Sequence, residues 1–120
     1  MAVRAIRGAT QLDSDDREHL LASVDELIRA MLEQNSIASD DLISIVFTAT
    51  VDLHSEFPAL AARELGIGDV PLLCAQEIDV EGAMPRVIRV MAHVESQRPR
   101  ADIQHVYLRG AVALRRDLAQ

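Results

Sequence analysis

Aromatic side chains are scarce in this sequence, which contains Phe47, Phe57 and Tyr107 and no tryptophan. Proteins that bind single-stranded nucleic acid generally stack the bases on aromatic side chains. The net charge of −7 also disfavours contact with phosphate backbones and anionic membranes. We therefore expect neither a nucleic acid nor a membrane as a partner.

Cysteine is almost absent as well, since Cys74 is the only one and no disulfide can form within one chain. No apolar run approaches the length of a transmembrane helix. The segment from Met1 to Arg7 lacks the apolar core of a signal peptide. These absences predict a soluble protein of the reducing cytoplasm.

The sequence also lacks the motifs of common catalytic sites. It has no glycine-rich phosphate loop and no nucleophile elbow, and its four histidines do not have the spacing of zinc ligands. Lysine is absent, so all twelve basic residues are arginines. We expect a protein without a metal or cofactor, whose positive charges are arginine guanidinium groups.

The length of 120 residues suits one domain, which we place at 1–120 with 118–120 as a loose tail. Residues alternate in hydrophobicity with the period of a strand in several segments and with the period of a helix in two. We expect an α+β fold with two helices and a mixed or antiparallel sheet of five or six strands. The strands are predicted at 3–9, 42–50, 70–75, 87–94, 103–108 and 111–114, and the helices at 12–35 and 58–65.

The sequence also predicts how the first helix begins and how the last two strands are connected. Asp13 or Ser14 is suited to cap the first helix. The last two strands are expected to form a hairpin across the two-residue turn Arg109-Gly110. The strand at 42–50 is apolar almost throughout, which is typical of a strand covered on both faces.

Arg89 lies in the middle of a predicted strand, where a charge is costly unless it is paired. It could form an ion pair or face water, or its guanidinium fork could bind an anionic ligand. The pattern leaves both interpretations open. Arg7, in line with apolar neighbours, and Arg63, on the second helix, support the ligand interpretation more weakly.

Glu77 directly follows the strand that contains Cys74. A carboxylate at the end of a strand is a common catalytic placement. Cys74 by itself fits a small buried apolar residue better than a nucleophile, because no neighbouring His and Asp pattern would activate it. Taken alone, the residues indicate an α+β domain that could hold a small anion with arginines, but they specify no reaction.

Six segments nevertheless resemble one known family, the AroH-class chorismate mutases, in their order and spacing. They are RAIRGAT at 4–10, TATVDLHSEFPA at 48–59, AREL at 62–65, VPLLCAQEIDV at 70–80, IRVM at 88–91 and HVYLRGAVALR at 105–115. The resemblance extends from the first strand to about Leu118. It implies a cytoplasmic isomerase that converts chorismate to prephenate, and a pseudo-barrel homotrimer with an active site at each subunit interface.

The resemblance also implies which residues form the site. The implied catalytic residues are Arg7, Cys74, Glu77 and Arg89, and the implied substrate-binding residues are Arg7, Phe57, Arg63, Leu73, Cys74, Glu77, Arg89, Tyr107, Leu114 and Arg115. Two positions depart from the family pattern. The family often has Lys where this chain has Leu60, and often Thr where it has Leu73.

The implied reaction is a concerted rearrangement that needs no nucleophile, metal or cofactor. The site has to hold the compact conformer of a dicarboxylate and stabilise the charge that develops as an ether bond breaks. Arg89 is expected to face the ether oxygen, Arg7 and Tyr107 a carboxylate, and Glu77 and Cys74 the ring hydroxyl. Arg63 would add positive potential, and Phe57 and Leu114 would exclude water.

Two alternatives to a mutase remain at this stage. One is a deaminase of imines or enamines on a similar trimeric fold, which would also bind a carboxylate through arginine. The other is a trimer that binds a ligand without catalysis, since Leu60 and Leu73 remove polar groups from the expected site.

Overall fold

The chain forms one mixed β-sheet with helices between and after its strands. The computed structural model describes the backbone of residues 1–116 and the side chains of residues 1–114. The strands are β1 (Ala2–Gln11), β2 (Leu42–Ala49), β3 (Leu72–Gln76), β4 (Val87–Ser96) and β5 (Val106–Leu108). The helices are α1 (Arg17–Gln34), α2 (Ala59–Glu64) and α3 (Val112–Arg116), with 3₁₀ turns at Ser39–Asp41, Arg100–Asp102 and Arg109–Ala111.

The order of the strands in the sheet is β3-β2-β4-β1-β5. The long strand β4 runs antiparallel to both β1 and β2, while the short edge strands β5 and β3 run parallel to β1 and β2. The predicted α+β fold with a mixed sheet of five strands is therefore confirmed. No helix within residues 1–116 combines the length and the apolar character that crossing a bilayer requires.

The predicted hairpin at the end of the chain is wrong. After β5, Arg109 adopts a positive φ of 54° and the chain continues through a 3₁₀ turn into α3 instead of a sixth strand. A two-residue hairpin turn of type I′ needs positive φ at both central residues, and only Arg109 has it. The short apolar run from Ala111 to Leu114 does not distinguish a strand from a helix, and alanine and leucine favour a helix. The described chain therefore has three α-helices rather than two, and the predicted tail at 118–120 lies outside the described residues.

The first helix also begins later than the sequence predicts, at Arg17 instead of Leu12. Its cap is Asp16, whose Oδ2 accepts a hydrogen bond from the backbone N–H of His19 at 3.0 Å, so neither Asp13 nor Ser14 caps the helix. Leu12 is buried in the connection before the helix, where its N–H donates to the carbonyl of Arg86. The apolar character of Leu12 thus reflects burial of a loop residue rather than a helical stripe.

The two sides of the sheet differ in composition. Directly paired residues of neighbouring strands lie on the same side. One side, which we call the helix face, includes Ile6, Phe47 and Val90. The buried stripe of α1 packs in the same core and consists of Leu20, Val24, Leu27, Ile28 and Met31. Gly8 leaves room for this packing, because a Cβ there would lie 2.4 Å from the sulfur of Met31.

The other side, here the open face, includes Arg7, Val46, Thr48, Arg89 and Met91. Arg89 is exposed and the other four are only half-buried. The cover on both faces predicted for the second strand is therefore incomplete within one chain. The sheet presents this mixed polar and apolar surface outward.

Candidate active site

A cavity of about 220 Å³ lies on the open face of the sheet. Four of the residues proposed from the sequence line it together, although they come from four different parts of the chain: Arg7, Glu77, Arg89 and Tyr107. The remaining lining residues are Gly8, Val46, Thr48, Val90 and Met91. The cavity therefore combines two guanidinium groups, a carboxylate and a phenol with an apolar floor.

Strand register explains how these residues meet. Arg89 pairs with Thr48 on β2 and with Ala9 on β1, and Ala9 pairs in turn with Tyr107 on β5. One row across four strands thus reads Thr48, Arg89, Ala9, Tyr107. Strand register thus brings Thr48, Arg89 and Tyr107 from three strands to the same side of the sheet, where all three line the cavity.

Glu77 is fixed at the edge of the cavity by three contacts. Its backbone N–H donates to the carbonyl of Ala49 at 2.9 Å, which continues the pairing of β3 with β2. Its Oε2 atom accepts a hydrogen bond from the Thr48 hydroxyl and lies 3.3 Å from Nε of Arg89. The Glu77 side chain is only 22% exposed. Among residues 1–114, both side-chain partners therefore contact the same carboxylate oxygen, which leaves Oε1 available to a ligand.

Both roles that the sequence left open for Arg89, an ion pair and a contact with an anionic ligand, are compatible with its position. It forms an ion pair with Glu77 through Nε, and it also lines a cavity with 45% of its side chain exposed. Glu77 is the only described residue with which its guanidinium group is paired. Its two terminal nitrogens can therefore form a bidentate contact with an anion.

Arg7 contributes a second positive charge to the cavity. Its guanidinium group forms no ion pair with a carboxylate of the described residues. Its backbone N–H donates to Nδ1 of His105 at 3.0 Å. Arg7 also lines a neighbouring cavity of about 460 Å³ together with Arg4, His93, Arg100 and His105. This part of the open face is therefore strongly basic in a chain whose net charge is −7.

The structure does not bring all the predicted site residues together within one chain. Phe57 and Cys74 line a separate cavity of about 550 Å³, formed largely by residues 49–58. Cys74 pairs with the fully buried Phe47 and so belongs to the helix face, not to the side that carries Arg89. Glu77 and Cys74, although close in sequence, line different cavities.

The other predicted residues of the described chain do not line the Arg89 cavity. Leu73 pairs with Val46 and so lies on the open face beside that cavity, 62% exposed. Phe57 is 68% exposed, and Arg63 is exposed on α2. Leu114 is half-buried in α3, and the side chain of Arg115 lies outside the described residues. One chain thus supplies a polar cavity and several exposed apolar side chains.

The loop that carries Phe57 is held against the start of α1 by carboxylates. Asp15 accepts hydrogen bonds from the backbone N–H groups of His54 and Ser55 at 3.1 to 3.2 Å. Burial raises the pKa of Asp15, but the hydrogen bonds from Ser55 and His54 outweigh it and hold the pKa below its usual value. In Glu56, hydrogen bonds from the Phe57 N–H and from Arg17 lower the pKa of the carboxyl group.

Sequence reasoning missed five residues that line the Arg89 cavity: Gly8, Val46, Thr48, Val90 and Met91. The signal for three of them was the two-residue period, which places Val46 with Thr48 and Arg89 with Met91 on single faces. Which faces point to the same side depends on strand pairing. Among residues 1–114, no three His, Cys, Asp or Glu side chains are grouped in a way that could hold a metal ion.

Comparison with known proteins shows which proteins this chain is similar to. The family model for chorismate mutase type I matches residues 3–118. A chorismate mutase from Thermus thermophilus is 49% identical over 117 residues, which cover 97% of this chain and 96% of that protein. A chorismate mutase from Bacillus subtilis is 42% identical over 120 residues, which cover 99% of this chain and 94% of that protein.

The fold is also similar to a solved structure. Chorismate mutase from Clostridium thermocellum superposes with a TM-score of 0.90 at 45% sequence identity. The matched region covers 91% of this chain and 97% of that one. The similarity therefore includes the whole sheet and not a single motif.

Proposed function

This chain belongs to the type I chorismate mutase family, and on that premise we propose that the cavity lined by Arg7, Glu77, Arg89 and Tyr107 holds chorismate during its rearrangement to prephenate. The chain is a chorismate mutase, an isomerase of aromatic amino acid biosynthesis. Family membership decides against the deaminase alternative. The observation that carries the assignment of the cavity is the Arg89–Glu77 pair, which faces the same space as the guanidinium of Arg7, a group that forms no ion pair with residues 1–114.

The proposed roles follow from where charge changes during the reaction. As the ether bond breaks, negative charge develops on its oxygen, and a preorganised donor lowers the barrier there. The terminal nitrogens of Arg89 supply that donor and also contact the adjacent carboxylate. Because the Arg89 guanidinium is already held by Glu77, it needs little reorganisation when the charge appears.

The other side chains bind and orient the substrate. Arg7 and Tyr107 hold a carboxylate, and Oε1 of Glu77 accepts a hydrogen bond from the ring hydroxyl. These contacts favour the compact conformer in which the two reacting carbons are close, so that binding removes much of the entropic barrier. No step requires a proton transfer or a covalent intermediate.

We further propose that the active site is completed by a neighbouring subunit in a homotrimer. The cavity opens on the side of the sheet that α1 does not cover, while Phe57 and Leu73 are exposed apolar side chains. Exposed large apolar groups of this kind mark interaction surfaces when they cluster. In the trimer, Phe57, Arg63, Leu73 and Cys74 of one chain approach the Arg89 cavity of the next, with Leu114 and Arg115 closing over it.

This arrangement also accounts for the separation of Cys74 from Glu77 within one chain. A contact of both residues with the same ring hydroxyl then requires Cys74 from one chain and Glu77 from another. The family often has Lys and Thr where this chain has Leu60 and Leu73. At these two positions the chain can make apolar contacts with the substrate but no side-chain hydrogen bond. The cytoplasmic location stays a prediction from the sequence.

The test of this assignment is chorismate consumption by the purified protein, followed by its absorbance and by acid conversion of prephenate to phenylpyruvate. Arg7→Ala is expected to lower kcat/KM by about a hundredfold or more, the usual cost of removing a charged contact in a dry site. Arg29→Ala is the matched control, because Arg29 pairs with Asp25 on the surface of α1. If Arg7→Ala and Arg29→Ala were equally active, the cavity would not be the substrate site.

A further inference from the structure

The strand that carries Tyr107 is short and weakly attached. Strand β5 has three residues, and within residues 1–116 it pairs with β1 alone, at Gly8–Val106, Ala9–Tyr107 and Thr10–Leu108. A parallel pair of this length contributes few ladder hydrogen bonds. The position of the Tyr107 ring relative to Arg7 therefore also depends on side-chain contacts that hold β5 in this register.

The register matters because side chains alternate between the two faces of a strand. A slip of β5 by one residue would move Tyr107 from the open face to the helix face. Val106 and Leu108 belong to the helix face and are packed in the core cluster. Their burial favours the observed register, but with only two apolar residues in the strand that preference is limited.

One side-chain contact lies at the start of this ladder. Nδ1 of His105 accepts a hydrogen bond from the backbone N–H of Arg7 at 3.0 Å. His105 immediately precedes Val106, and Arg7 immediately precedes Gly8, so the contact extends the β1–β5 pairing by one position. The bond joins the backbone of one proposed substrate ligand to the strand of the other.

We propose that His105 is a positioning residue, which fixes the distance between Arg7 and Tyr107 so that both can hold the same carboxylate of chorismate. The inference rests on the function proposed for Arg7 and Tyr107. His105 lines the neighbouring cavity with Arg4, His93 and Arg100 and is not part of the lining of the Arg89 cavity. It therefore acts through Arg7 and β5 and not by contact with the substrate.

The hydrogen bond defines which substitutions distinguish a positioning role. Since Nδ1 accepts a proton donor, it carries no hydrogen itself. An asparagine at this position can place its Oδ1 where Nδ1 lies and so keep an acceptor. A leucine has nearly the shape of asparagine but no acceptor, so the N–H of Arg7 keeps an acceptor in His105→Asn and loses it in His105→Leu.

The experiment compares the steady-state kinetics of these two variants. His105→Leu is expected to raise KM for chorismate about tenfold, the effect of weakening one charged contact, with kcat changed less than about threefold. His105→Asn is expected to keep KM within about twofold of the wild-type value. Equal KM values for His105→Leu and the wild type would overturn the proposal, and so would an Asn variant as impaired as the Leu variant.

A mutant cycle separates this proposal from the proposed function. Arg7→Ala keeps the backbone N–H that donates to His105, so the cycle has to remove both side chains that His105 positions. If His105 acts through Arg7 and Tyr107, then adding His105→Leu to the variant Arg7→Ala/Tyr107→Phe should lower kcat/KM less than about twofold further. A full, additive loss in that triple variant would overturn the proposal. If Arg7→Ala itself had no effect, the function assigned to the cavity would fail instead.

Thermal unfolding of each variant controls for a purely structural effect. A loss of folded protein lowers the apparent kcat but leaves the KM of the remaining active sites unchanged. Should His105→Leu fail to fold, His105→Gln replaces it, because glutamine keeps the polarity but carries its acceptor one bond farther out. A wild-type KM for His105→Gln together with a wild-type KM for His105→Asn would then overturn the proposal.

Discussion

Arg89 and Glu77 form an ion pair on the open face of the sheet, with Nε of Arg89 3.3 Å from Oε2 of Glu77. The same carboxylate oxygen accepts a hydrogen bond from the Thr48 hydroxyl. Thr48 and Arg89 are directly paired residues of β2 and β4. The two groups with the most demanding proposed roles, the donor to the ether oxygen and the acceptor for the ring hydroxyl, thus position each other before substrate binds.

Arg89 is expected to be the most sensitive residue of the site. Arg89→Ala should cost about 3 kcal/mol or more of transition-state stabilisation, because it removes the donor at the oxygen where charge develops. Arg89→Lys should recover only part of that loss, since an ammonium group cannot reproduce the guanidinium fork. The measurement is kcat/KM for each variant, and an Arg89→Ala enzyme within a few-fold of the wild type would remove Arg89 from the mechanism.

Thr48 is expected to orient Glu77. Thr48→Val keeps the shape of the side chain and removes its hydroxyl, so the Glu77 carboxylate loses one of its two partners at Oε2. We expect kcat/KM to fall about tenfold, equivalent to roughly 1.4 kcal/mol, and Thr48→Ser to remain within about threefold of the wild type. Wild-type activity in Thr48→Val would mean that the ion pair with Arg89 is sufficient to hold Glu77.

Acid should loosen the loop that carries Phe57. Asp15 and Glu56 both have a folded-state pKa below the usual values of 3.8 and 4.5. Their contribution to stability is therefore complete above those values and is lost as the pH falls through the lower, folded-state pKa. Denaturant unfolding between about pH 6 and pH 3 should show this loss.

Asp15→Asn provides the control for the acid effect. The variant keeps an acceptor for the N–H groups of His54 and Ser55 but removes the titrating group. Its stability should be lower at neutral pH and should depend less on pH in the acid range. An acid dependence as steep as that of the wild type would show that Asp15 does not contribute to it.

The proposed trimer predicts that two inactive variants regain enzymatic activity when they are refolded together. Sedimentation should give about three times the chain mass of 13.2 kDa. If Arg63 of one chain completes the Arg89 cavity of the next, joint refolding of Arg89→Ala with Arg63→Ala creates some sites in which both arginines are intact. Activity should then partly return.

The structure supplies a matched control for this mixing experiment. Arg7 and Arg89 line the same cavity of one chain, so mixing Arg7→Ala with Arg89→Ala can produce no site in which both are intact. That mixture should remain inactive. Recovery in both mixtures would indicate an effect other than shared sites, and a fully active monomer would end the trimer proposal.

The sequence by itself determined the fold class, most of the elements and the family. The periodicity of Val87 to Val94 predicted β4 correctly, and the proline and glycine around Ala59–Glu64 predicted α2, because these signals are local. The resemblance of six segments also identified Arg7, Glu77, Arg89 and Tyr107, which the structure brings to one cavity. No local pattern could have grouped these four residues, since three lie on different strands and Glu77 follows a fourth.

Tertiary structure decided the rest, because it depends on pairing between distant parts of the chain. The apolar residues after Arg109 suit a strand in sequence, but the backbone at Arg109 directs them into a helix. The side of the sheet on which Cys74 lies follows from its pairing with Phe47 and not from its distance to Glu77 in sequence. The bond between Arg7 and His105 joins residues 98 positions apart, and strand register alone brings them within 3.0 Å of each other.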